Sequence, residues 1–381
     1  MKRLLALCLT LALLTGGLAR AEEAAPTIMI EDMSLELMSS SVHYPRVTGL
    51  GDEALEEAVN GLIQERLGVT DYLNRVALLI SDPTGLTVTY DAQVLGDVFI
   101  CVMEASGAVV NTLPTHVWTA VNVDLRDGHA IGWDELFAQP EEALETIGAY
   151  LDESVAPELS AHLSAGSLTP LPETFGLSPY GLTLLYPIEQ LATLQDEAGA
   201  VTILWSETRN DLRLSEDDVL ARLGAAENLA FPEDALAALT DALSGGSIPG
   251  VPAAIGQSVA ELTDRYGLQT DPDLYEGGQM LLPDGSAFRQ VWLLTDTLTG
   301  SEVHGLRADR LNLLGLQTGV TARDEYLAAL GEPESSLNVD EDRALNWRIV
   351  PGTSDYYTLG EYRLRLHADE EGVLRSVFLT R

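Results

Sequence analysis

Histidine spacing gives the first test for a metal site in this chain. The sequence contains six histidines: His43, His116, His129, His162, His304 and His367. None of them lies within helical reach of another histidine or of a cysteine, the arrangement that compact zinc sites require. The spacing therefore predicts no zinc site.

Three acidic clusters provide the second test. They are Ser215-Glu216-Asp217-Asp218, Asp271-Pro272-Asp273 and Asp340-Glu341-Asp342. A calcium loop needs oxygen ligands at its first, third and fifth positions and a glycine at the sixth. Counting from Asp271 or Asp340, the fifth residue is Tyr275 or Ala344, so neither cluster fits. We therefore expect solvated turns and helix caps, with Ser215 as the cap of the first cluster, and no metal or cofactor.

Motifs for covalent and phosphate chemistry are missing from the sequence. There is no G-x-S-x-G elbow and no G-x-G-x-x-G after a strand. Lys2 is the only lysine, which excludes Schiff-base chemistry and a phosphate-loop lysine from the mature chain. Cys101 lies in the apolar run VFICVM, which favours a buried, inert thiol. With 59 acidic residues, paired carboxylates for glycan hydrolysis stay open as an alternative, but no pair is singled out.

The strongest candidate site is a surface near the C-terminus. In GEYRLRLHADEEG, arginines alternate with apolar residues, so Arg363 and Arg365 lie on the opposite side of a predicted strand from Leu364. The preceding segment LNWRIVPGTSDYYTLG carries aromatic residues. Pairing of the two segments would place arginine and aromatic side chains, the residue types of interface hot spots, on one face. The candidate residues are Trp347, Arg348, Tyr356, Tyr357, Arg363 and Arg365. The alternative is a solvated face whose arginines pair locally with Glu361, Asp369 and Glu370.

The first 21 residues predict export. Lys2 and Arg3 precede the apolar run Leu4–Leu14, and Ala19-Arg20-Ala21 forms a small-x-small cleavage site. The run is too short to span a bilayer, which takes about 20 residues. We therefore expect a cleaved signal peptide, a secreted or periplasmic protein, and no integral membrane segment.

The net charge of −38 restricts the partners of the chain. Such an acidic protein repels nucleic acids and anionic lipid surfaces. It suits a cationic protein partner electrostatically, although charge of this kind also serves solubility alone.

Periodicity predicts an α+β fold of antiparallel sheets with helices packed on one face. Asp52 is placed to cap the helix DEALEEAVNGLIQERL, and Leu86, Val88 and Tyr90 alternate with threonines as in a half-buried strand. Residues 116–138 read as a strand, an Asp-Gly turn and an acidic helix start. Residues 215–243 read as helical.

A linker and an internal duplication define the predicted domains. GGSIPGVP (245–252) separates an α+β domain (22–244) from a tandem helix-plus-sheet module (253–381). Segments 254–267 and 316–331 each show a capping residue (Ser258 or Thr321), an amphipathic helix and a terminal glycine. The period of about 64 residues divides the module into 253–315 and 316–381.

The first domain resembles a bacterial extracytoplasmic family of domains of uncharacterised function. The resemblance lies in YPRVTG (44–49), NVDLRDGHAIGWDELF (122–137) and FGLSPYGLTLLYPIEQLATLQDEAGAVTILW (175–205), and covers about residues 28–225. The family is known from the lysozyme-binding ectodomain of RsiV-type anti-sigma factors and from segments preceding secreted polysaccharide deacetylases. It implies that the strand–turn–helix at 116–138 is scaffold. Nothing in the sequence resembles the TFDDG metal-binding motif of the deacetylases. The lysozyme-contacting residues of the family cannot be matched one by one to positions of this chain, so none is carried over.

The C-terminal module resembles the tandem repeats of the β-lactamase-inhibitor-protein type. The resemblance rests on the G-x-[ST]-x-x-[ED]-x-x-x-x-[LY]-G rhythm over about residues 250–381. Together these features favour a non-enzymatic binding module for a protein or a cell-wall polymer. The alternatives are a cell-wall glycan hydrolase and an envelope assembly or structural protein.

Overall fold

The computed structural model describes the chain from residue 27 onward, with gaps. The described residues are 27–78, 85–110, 113–164, 166–192, 199–208, 211–251, 253–266, 268–270, 278–282, 290–297 and 299–381. The predicted signal peptide and the cluster Asp271–Asp273 lie outside them. Among the described residues, no helix has the length and apolar composition needed to cross a membrane.

A six-stranded sheet forms the first layer of the fold. Its strands, in spatial and chain order, are β1 (Met29–Leu37), β2 (Ser40–Thr48), β3 (Leu86–Leu95), β4 (Val98–Val110), β5 (Leu113–Asp124) and β6 (His129–Ala130). Neighbouring strands are antiparallel except β2 and β3, which are parallel. Leu86 and Val88 are fully buried, which confirms the strand predicted from their alternation.

Two helices, α1 (Glu53–Arg66) and α2 (Val69–Leu78), cover one face of this sheet. Asp52 caps α1 as predicted, because its side chain accepts from the backbone N–H groups of Ala54 and Leu55. The buried Asn60 amide bonds both backbone groups of Val47, at 2.8 Å and 2.7 Å, and so fixes α1 against β2. The predicted α+β class with antiparallel sheets and packed helices is confirmed.

The strand–turn–helix at 116–138 joins two layers of the fold. The turn contains Gly128 at φ +80°, and α3 (Trp133–Leu136) begins beyond it. On β5, the buried Asn122 side chain donates to Phe175 O at 2.8 Å and accepts from Leu177 N at 3.1 Å. Phe175 and Leu177 are the ends of the short strand β7 (Phe175–Leu177), so this hydrogen-bonded contact connects the first sheet to the next layer.

The second layer combines a small sheet with helices. Its elements are β7 (Phe175–Leu177), β8 (Gly181–Leu185), β9 (Ala200–Leu204), α4 (Pro140–Tyr150, continued by a π-helical turn at Leu151–Val155), α5 (Val219–Arg222) and α6 (Ala225–Asn228). They enclose a core against the outer side of β4, where Val98 and Ile100 project.

The predicted helical stretch at 215–243 is divided into α5, α6 and a third helix, α7 (Ala235–Leu243). Gly224 adopts φ +86°, and Pro232 interrupts the stretch again. The predicted cap at Ser215 is wrong. Asp218 occupies the cap position of α5, and its carboxylate accepts from Ser215 N at 2.9 Å.

An eight-stranded antiparallel sheet organises the C-terminal part. Its strands, in spatial order, are β10 (Gln269–Thr270), β11 (Met280–Leu282), β12 (Val291–Leu294), β13 (Gly305–Ala308), β19 (Leu374–Thr380), β18 (Tyr362–Asp369), β17 (Gly352–Leu359) and β16 (Ser335–Val339). A short hairpin, β14 (Asn312–Leu313) and β15 (Leu316–Gln317), lies in the chain between strands β10–β13 and strands β16–β19 of this sheet.

Helices α7, α8 (Val259–Tyr266) and α9 (Arg323–Leu330) contribute to the main core on one face of this sheet, and α10 (Glu341–Trp347) lies over the other. Ser258 accepts from Glu261 N and caps α8 as predicted. The predicted cap at Thr321 is wrong, because its hydroxyl donates to Gly315 O within the preceding turn. Gly331 ends α9 at φ +82°.

The two parts of the chain are joined by polar contacts of Arg310 at the edge of the contact. Arg310 binds Glu207 through Nε at 2.7 Å and donates from Nη2 to Thr202 O at 2.7 Å. Burial would raise the pKa of Glu207, but Arg310 outweighs it and lowers that pKa. Within the segment predicted as a linker, Ile248 is buried in the C-terminal core together with Leu239 of α7. The predicted domain bounds remain predictions.

Cys101 should be unreactive in the folded protein. The thiol is fully buried, and burial raises its pKa to about 12, so the reactive thiolate is rare at neutral pH. We expect a thiol reagent to leave the native protein (residues 22–381) unlabelled at pH 8 and to label its one cysteine in denaturant. Rapid labelling of the native protein would contradict the burial.

Candidate functional site

A row of alternating aromatic and arginine residues crosses the outer face of the eight-stranded sheet. Its members stand opposite one another on adjacent strands: Trp292 with Arg307, Arg307 with Phe378, Phe378 with Arg365, and Arg365 with Tyr356. Directly opposed residues of antiparallel strands project to the same face. We call these five residues the Arg–aromatic row.

The guanidinium groups of the row lie over the neighbouring rings. Arg307 is 5.6 Å from the ring centre of Trp292 and 5.5 Å from that of Phe378. Arg365 is 4.4 Å from the Phe378 ring and 5.8 Å from the Tyr356 ring. These distances are within the range of cation–π attraction, so each arginine holds the rings on both sides of it.

Helix α10 and the residues after it cover the middle of the row. The Trp347 ring lies over Arg365 at 4.2 Å. Arg307 donates to Trp347 O at 3.1 Å and to Arg348 O at 2.8 Å, where the left-handed Arg348 ends the helix. Ile349 packs with Phe378 in a small apolar cluster. The middle of the row is therefore an interior contact, and Arg365 is only 9% exposed.

A hydrogen-bonded chain next to the row fixes the protonation state of His367. The fully buried imidazole makes a 2.8 Å hydrogen bond from Nε2 to Val350 O, so Nδ1 accepts from the Ser354 hydroxyl at 3.0 Å. Arg365 Nε donates to the same hydroxyl oxygen at 3.0 Å. Burial, reinforced by the nearby charges of Arg365 and Arg307, lowers the pKa of His367 to about 4. The histidine is neutral at physiological pH.

The exposed end of the face consists of residues around Tyr356 and α10. Arg363 is exposed on β18, and its guanidinium lies 4.5 Å from the Tyr356 ring. Leu345 and Val350 are 79% and 45% exposed, although both are large apolar residues. We call Leu345, Trp347, Val350, Tyr356 and Arg363 the rim.

The structure brings together most of the residues predicted for this site. Trp347, Arg348, Tyr356, Arg363 and Arg365 lie on or beside the same face of paired strands β17 and β18. Tyr357 lies on the opposite face, where it is buried in the main core and its hydroxyl donates to Gly331 O at 3.1 Å. Neighbouring strand residues project to opposite faces, so Tyr356 and Tyr357 could not share one.

Sequence reasoning missed Trp292, Arg307 and Phe378. The apolar residues beside them, Leu293 and Leu306, are buried on the other face, so strand alternation alone places the three on the outer face. Their proximity, however, depends on the pairing of β13 with β19, which joins the two halves of the eight-stranded sheet.

A second polar cluster, also missed, lies in the strand–turn–helix unit. Ligand atoms of Asp124, His129 and Glu135 lie within 4.8 Å of one another. Asp124 already accepts from Arg126 and Arg222, and both guanidinium groups supply positive charge to it. The ring nitrogens of His129 bond Asp127 and Glu135, and these bonds raise its pKa, with the Asp127 bond the largest cause. The side-chain atoms that could bind a metal are thus already used in hydrogen bonds within the protein. This favours a structural role for the cluster, in which it stabilises the turn.

Comparisons with known proteins gave only distant structural likeness. No known family model matches the chain, and no curated protein matches its sequence. A crystal structure of a DUF3298 family protein from Bacteroides fragilis covers 53% of this chain and 99% of its own length, with 11% identity and a TM-score of 0.42. A DUF3298 family protein from Pseudomonas aeruginosa covers 50% of this chain and 96% of its own, with 9% identity and a TM-score of 0.35.

A DUF4309 family protein from Bacillus subtilis covers 38% of this chain and 94% of its own, with 15% identity and a TM-score of 0.26. These three proteins are bacterial, and two of them belong to DUF3298. At these scores the likeness is no evidence for a shared ligand or activity.

Proposed function

We propose that the protein is a non-enzymatic, exported binding protein that recognises a partner protein or a cell-wall polymer through the rim. The observation that carries this proposal is the surface that exposed apolar and arginine side chains form together with the half-buried aromatic rings of Trp347 and Tyr356. These residue types contribute most of the affinity in protein interfaces.

The Arg–aromatic row supports the rim from below. Arg307 bonds the end of α10, and Arg365 lies under the Trp347 ring, so the helix that carries Leu345 is held in one position. A preorganised surface loses less conformational entropy when a partner binds. The row therefore favours binding although its own members are largely covered.

The charge pattern favours a partner with one acidic group placed against Arg363. The protein as a whole carries −38 charges, while Arg363 provides an exposed positive charge at the rim. A cationic partner protein would be attracted over long range, and its acidic group would then select this face. A cell-wall polymer would need an anionic group at the same position.

A capture experiment tests the proposal. The bait is the chain from residue 22 to 381, and the prey are the envelope fraction of the producing organism and hen lysozyme, at low and moderate salt. The variant combines Leu345→Glu with Arg363→Glu, since both side chains are exposed and neither holds the core. Trp347 is left intact because it packs over Arg365.

We expect the double variant to reduce stoichiometric capture about tenfold or more, the scale of a lost hot spot. The matched control combines Val320→Glu with Arg66→Glu, which also changes one exposed aliphatic residue and one exposed arginine. The control should retain capture. Equal capture by the wild-type protein and the rim variant would show that the rim is not the binding surface.

A cell-wall glycan hydrolase remains the alternative function. Such an enzyme needs a carboxylic acid whose pKa is raised so that it can donate a proton. Among the described residues, the carboxyl groups with a shifted pKa all have it lowered: Asp124, Asp127, Asp152, Glu207, Asp355 and Asp369. Glycan cleavage by the purified chain would favour the hydrolase over the binding protein.

The resemblances to the RsiV-type ectodomain and to the tandem repeats concern the evolutionary origin of the chain. We infer that residues 28–225 are related to the RsiV-type ectodomain, on the motifs quoted above. For the tandem repeat, the support is the order of elements: α8 precedes β10–β13, α9 precedes β16–β19, and the last strands of the two series pair. An envelope assembly role would be distinguished by stable co-purification with an envelope complex.

A further inference from the structure

We propose that the outer edge of strand β1 is a second docking site, which accepts an extended strand of a partner protein carrying basic side chains. This site lies on the first sheet, away from the rim, and does not depend on the function proposed for the rim.

Strand β1 is long and unprotected. It pairs with β2 along its whole length, from Met29 opposite Thr48 to Leu37 opposite Ser40, and no register shift interrupts the pairing. Among the described strands, none pairs with its other edge. Proteins usually protect such an edge with proline, a bulge or charged side chains, lysine above all. Strand β1 contains no proline, lysine or bulge, and its charged residues are all acidic, so they repel an acidic strand and not a basic one.

The pairing register shows which backbone groups point outward. Leu37 and Ser40 flank the two-residue turn at Met38-Ser39, where Met38 has φ +55°. In such a hairpin the flanking pair exchanges both hydrogen bonds, and every second pair along the strands does the same. The N–H and C=O groups of Glu36, Ser34 and Asp32 are therefore directed to the open edge. Pro45 of β2 lies opposite Asp32, at a pair that exchanges no hydrogen bonds. The N–H that proline lacks is therefore not needed for pairing with β1.

Apolar side chains border the open edge on one side. Met33, Leu35 and Leu37 share one parity on β1, and the two leucines are each 38% exposed. Met38, at the tip of the hairpin, is 81% exposed. An added strand would cover these side chains with its own alternate residues, the arrangement of β-strand addition.

The surrounding charge selects a basic strand. Beside the hairpin, a groove of about 630 Å³ is lined by Met33 and Tyr44 and by the acids Glu53, Glu56 and Glu57 of α1. Arg46 is the one basic residue among its lining residues, so acidic side chains outnumber basic ones three to one there. Glu31 and Glu36 on β1 are also exposed. A lysine or arginine would be attracted to the carboxylates and could contact the Tyr44 ring.

The same charges disfavour a second copy of the chain as the occupant. Antiparallel pairing of two β1 edges would bring Glu31, Asp32 and Glu36 of each copy close to the acids of the other. Like charges directly opposed across strands are destabilising. The proposal therefore commits to a basic strand from a different protein.

The test uses a fluorescent ten-residue peptide of alternating valine and lysine, with a valine–glutamate peptide of equal length as the charge control. Binding to the chain from residue 22 to 381 is measured by anisotropy. We expect saturable binding of the lysine peptide alone. Ser34→Pro removes an outward N–H and should weaken binding at least tenfold, while Ser34→Ala should leave it within about twofold.

A second variant covers the possibility that Ser34→Pro disturbs the hairpin. Glu53→Gln combined with Glu57→Gln leaves every backbone group of β1 in place and should weaken lysine-peptide binding about threefold to tenfold at low salt. Four results would overturn the proposal: equal binding of the glutamate peptide, no binding of either peptide, unchanged binding to a folded Ser34→Pro variant, or an edge occupied by chain dimers that Ser34→Pro dissociates.

Discussion

Replacing Asp355 by alanine should lower the free energy of unfolding by about 3–5 kcal/mol, the usual cost of removing one partner from a buried ion pair. The Asp355 side chain is fully buried on β17 and accepts from Arg323 Nε at 2.8 Å, Arg323 Nη2 at 2.9 Å, the Tyr326 hydroxyl at 2.7 Å and the Ser336 hydroxyl at 2.5 Å. The alanine variant leaves the buried Tyr326 hydroxyl without this acceptor.

The direction of the pKa shift supports the same assignment. Burial alone would raise the pKa of Asp355, but the hydrogen bonds from Arg323, Ser336 and Tyr326 outweigh it and lower the pKa. A lowered carboxyl pKa stabilises the fold above the unfolded pKa of about 4, and this stabilisation is lost as the pH falls through the lower folded value.

Urea unfolding at pH 7 measures the effect. The matched control is Asp324→Ala. It removes an exposed carboxylate from the first turn of α9, the helix that carries Arg323 and Tyr326, and should cost less than about 1 kcal/mol. If both variants unfold at the same urea concentration, Asp355 does not anchor α9 to the sheet.

Acidification should destabilise the protein through His367 between about pH 6.5 and pH 4. The folded-state pKa is lowered to about 4 by burial first and by Arg365 and Arg307 next, against an unfolded value of about 6.5. Above pH 6.5 both states are neutral, and the stability is complete. Below it the unfolded state binds a proton that the folded state does not bind, and the free energy of unfolding falls by about 3 kcal/mol by pH 4.

The measurement is the difference between wild type and His367→Gln in free energy of unfolding across this pH range. Taking the difference removes other titrating groups, including His129, whose raised pKa acts in the opposite direction and whose contribution is lost as the pH rises. We expect the difference to shrink by about 3 kcal/mol from pH 7 to pH 4. His304→Gln, at a partly exposed position, is the control for the substitution itself.

Local sequence patterns were sufficient to predict features that depend on a single helix or strand. The cap at Asp52 and the strand at Leu86 and Val88 were predicted because they depend on neighbouring residues. The candidate site assumed that the two C-terminal segments pair, and they do, joined by the short turn around Gly360. The fold class followed from the same patterns.

Some errors came from local signals that were present but not used. Tyr356 and Tyr357 are adjacent in a strand, and the period of two already separates them onto opposite faces. Gly224 and Pro232 divide the helix predicted at 215–243, and both residues are visible in the sequence. Thr321 differs, because its hydroxyl is used by a turn whose geometry the sequence does not display.

The rest of the site depends on contacts between distant segments. Trp292 and Arg307 join Phe378 only because β13 pairs with β19, and this pairing is set by the packing of the whole C-terminal core. The covering of the row by α10 is likewise a tertiary result. It turns a face predicted as open into a partly interior one with an exposed rim.

Hydrogen exchange of the chain bound to its captured partner is the most direct test of the central claim, that the rim is the binding surface. The account predicts that binding slows exchange in residues 341–350 and in β17 and β18, with little change in β4 and β5. Protection confined to other parts of the chain, with α10 exchanging as fast as in the free protein, would contradict it.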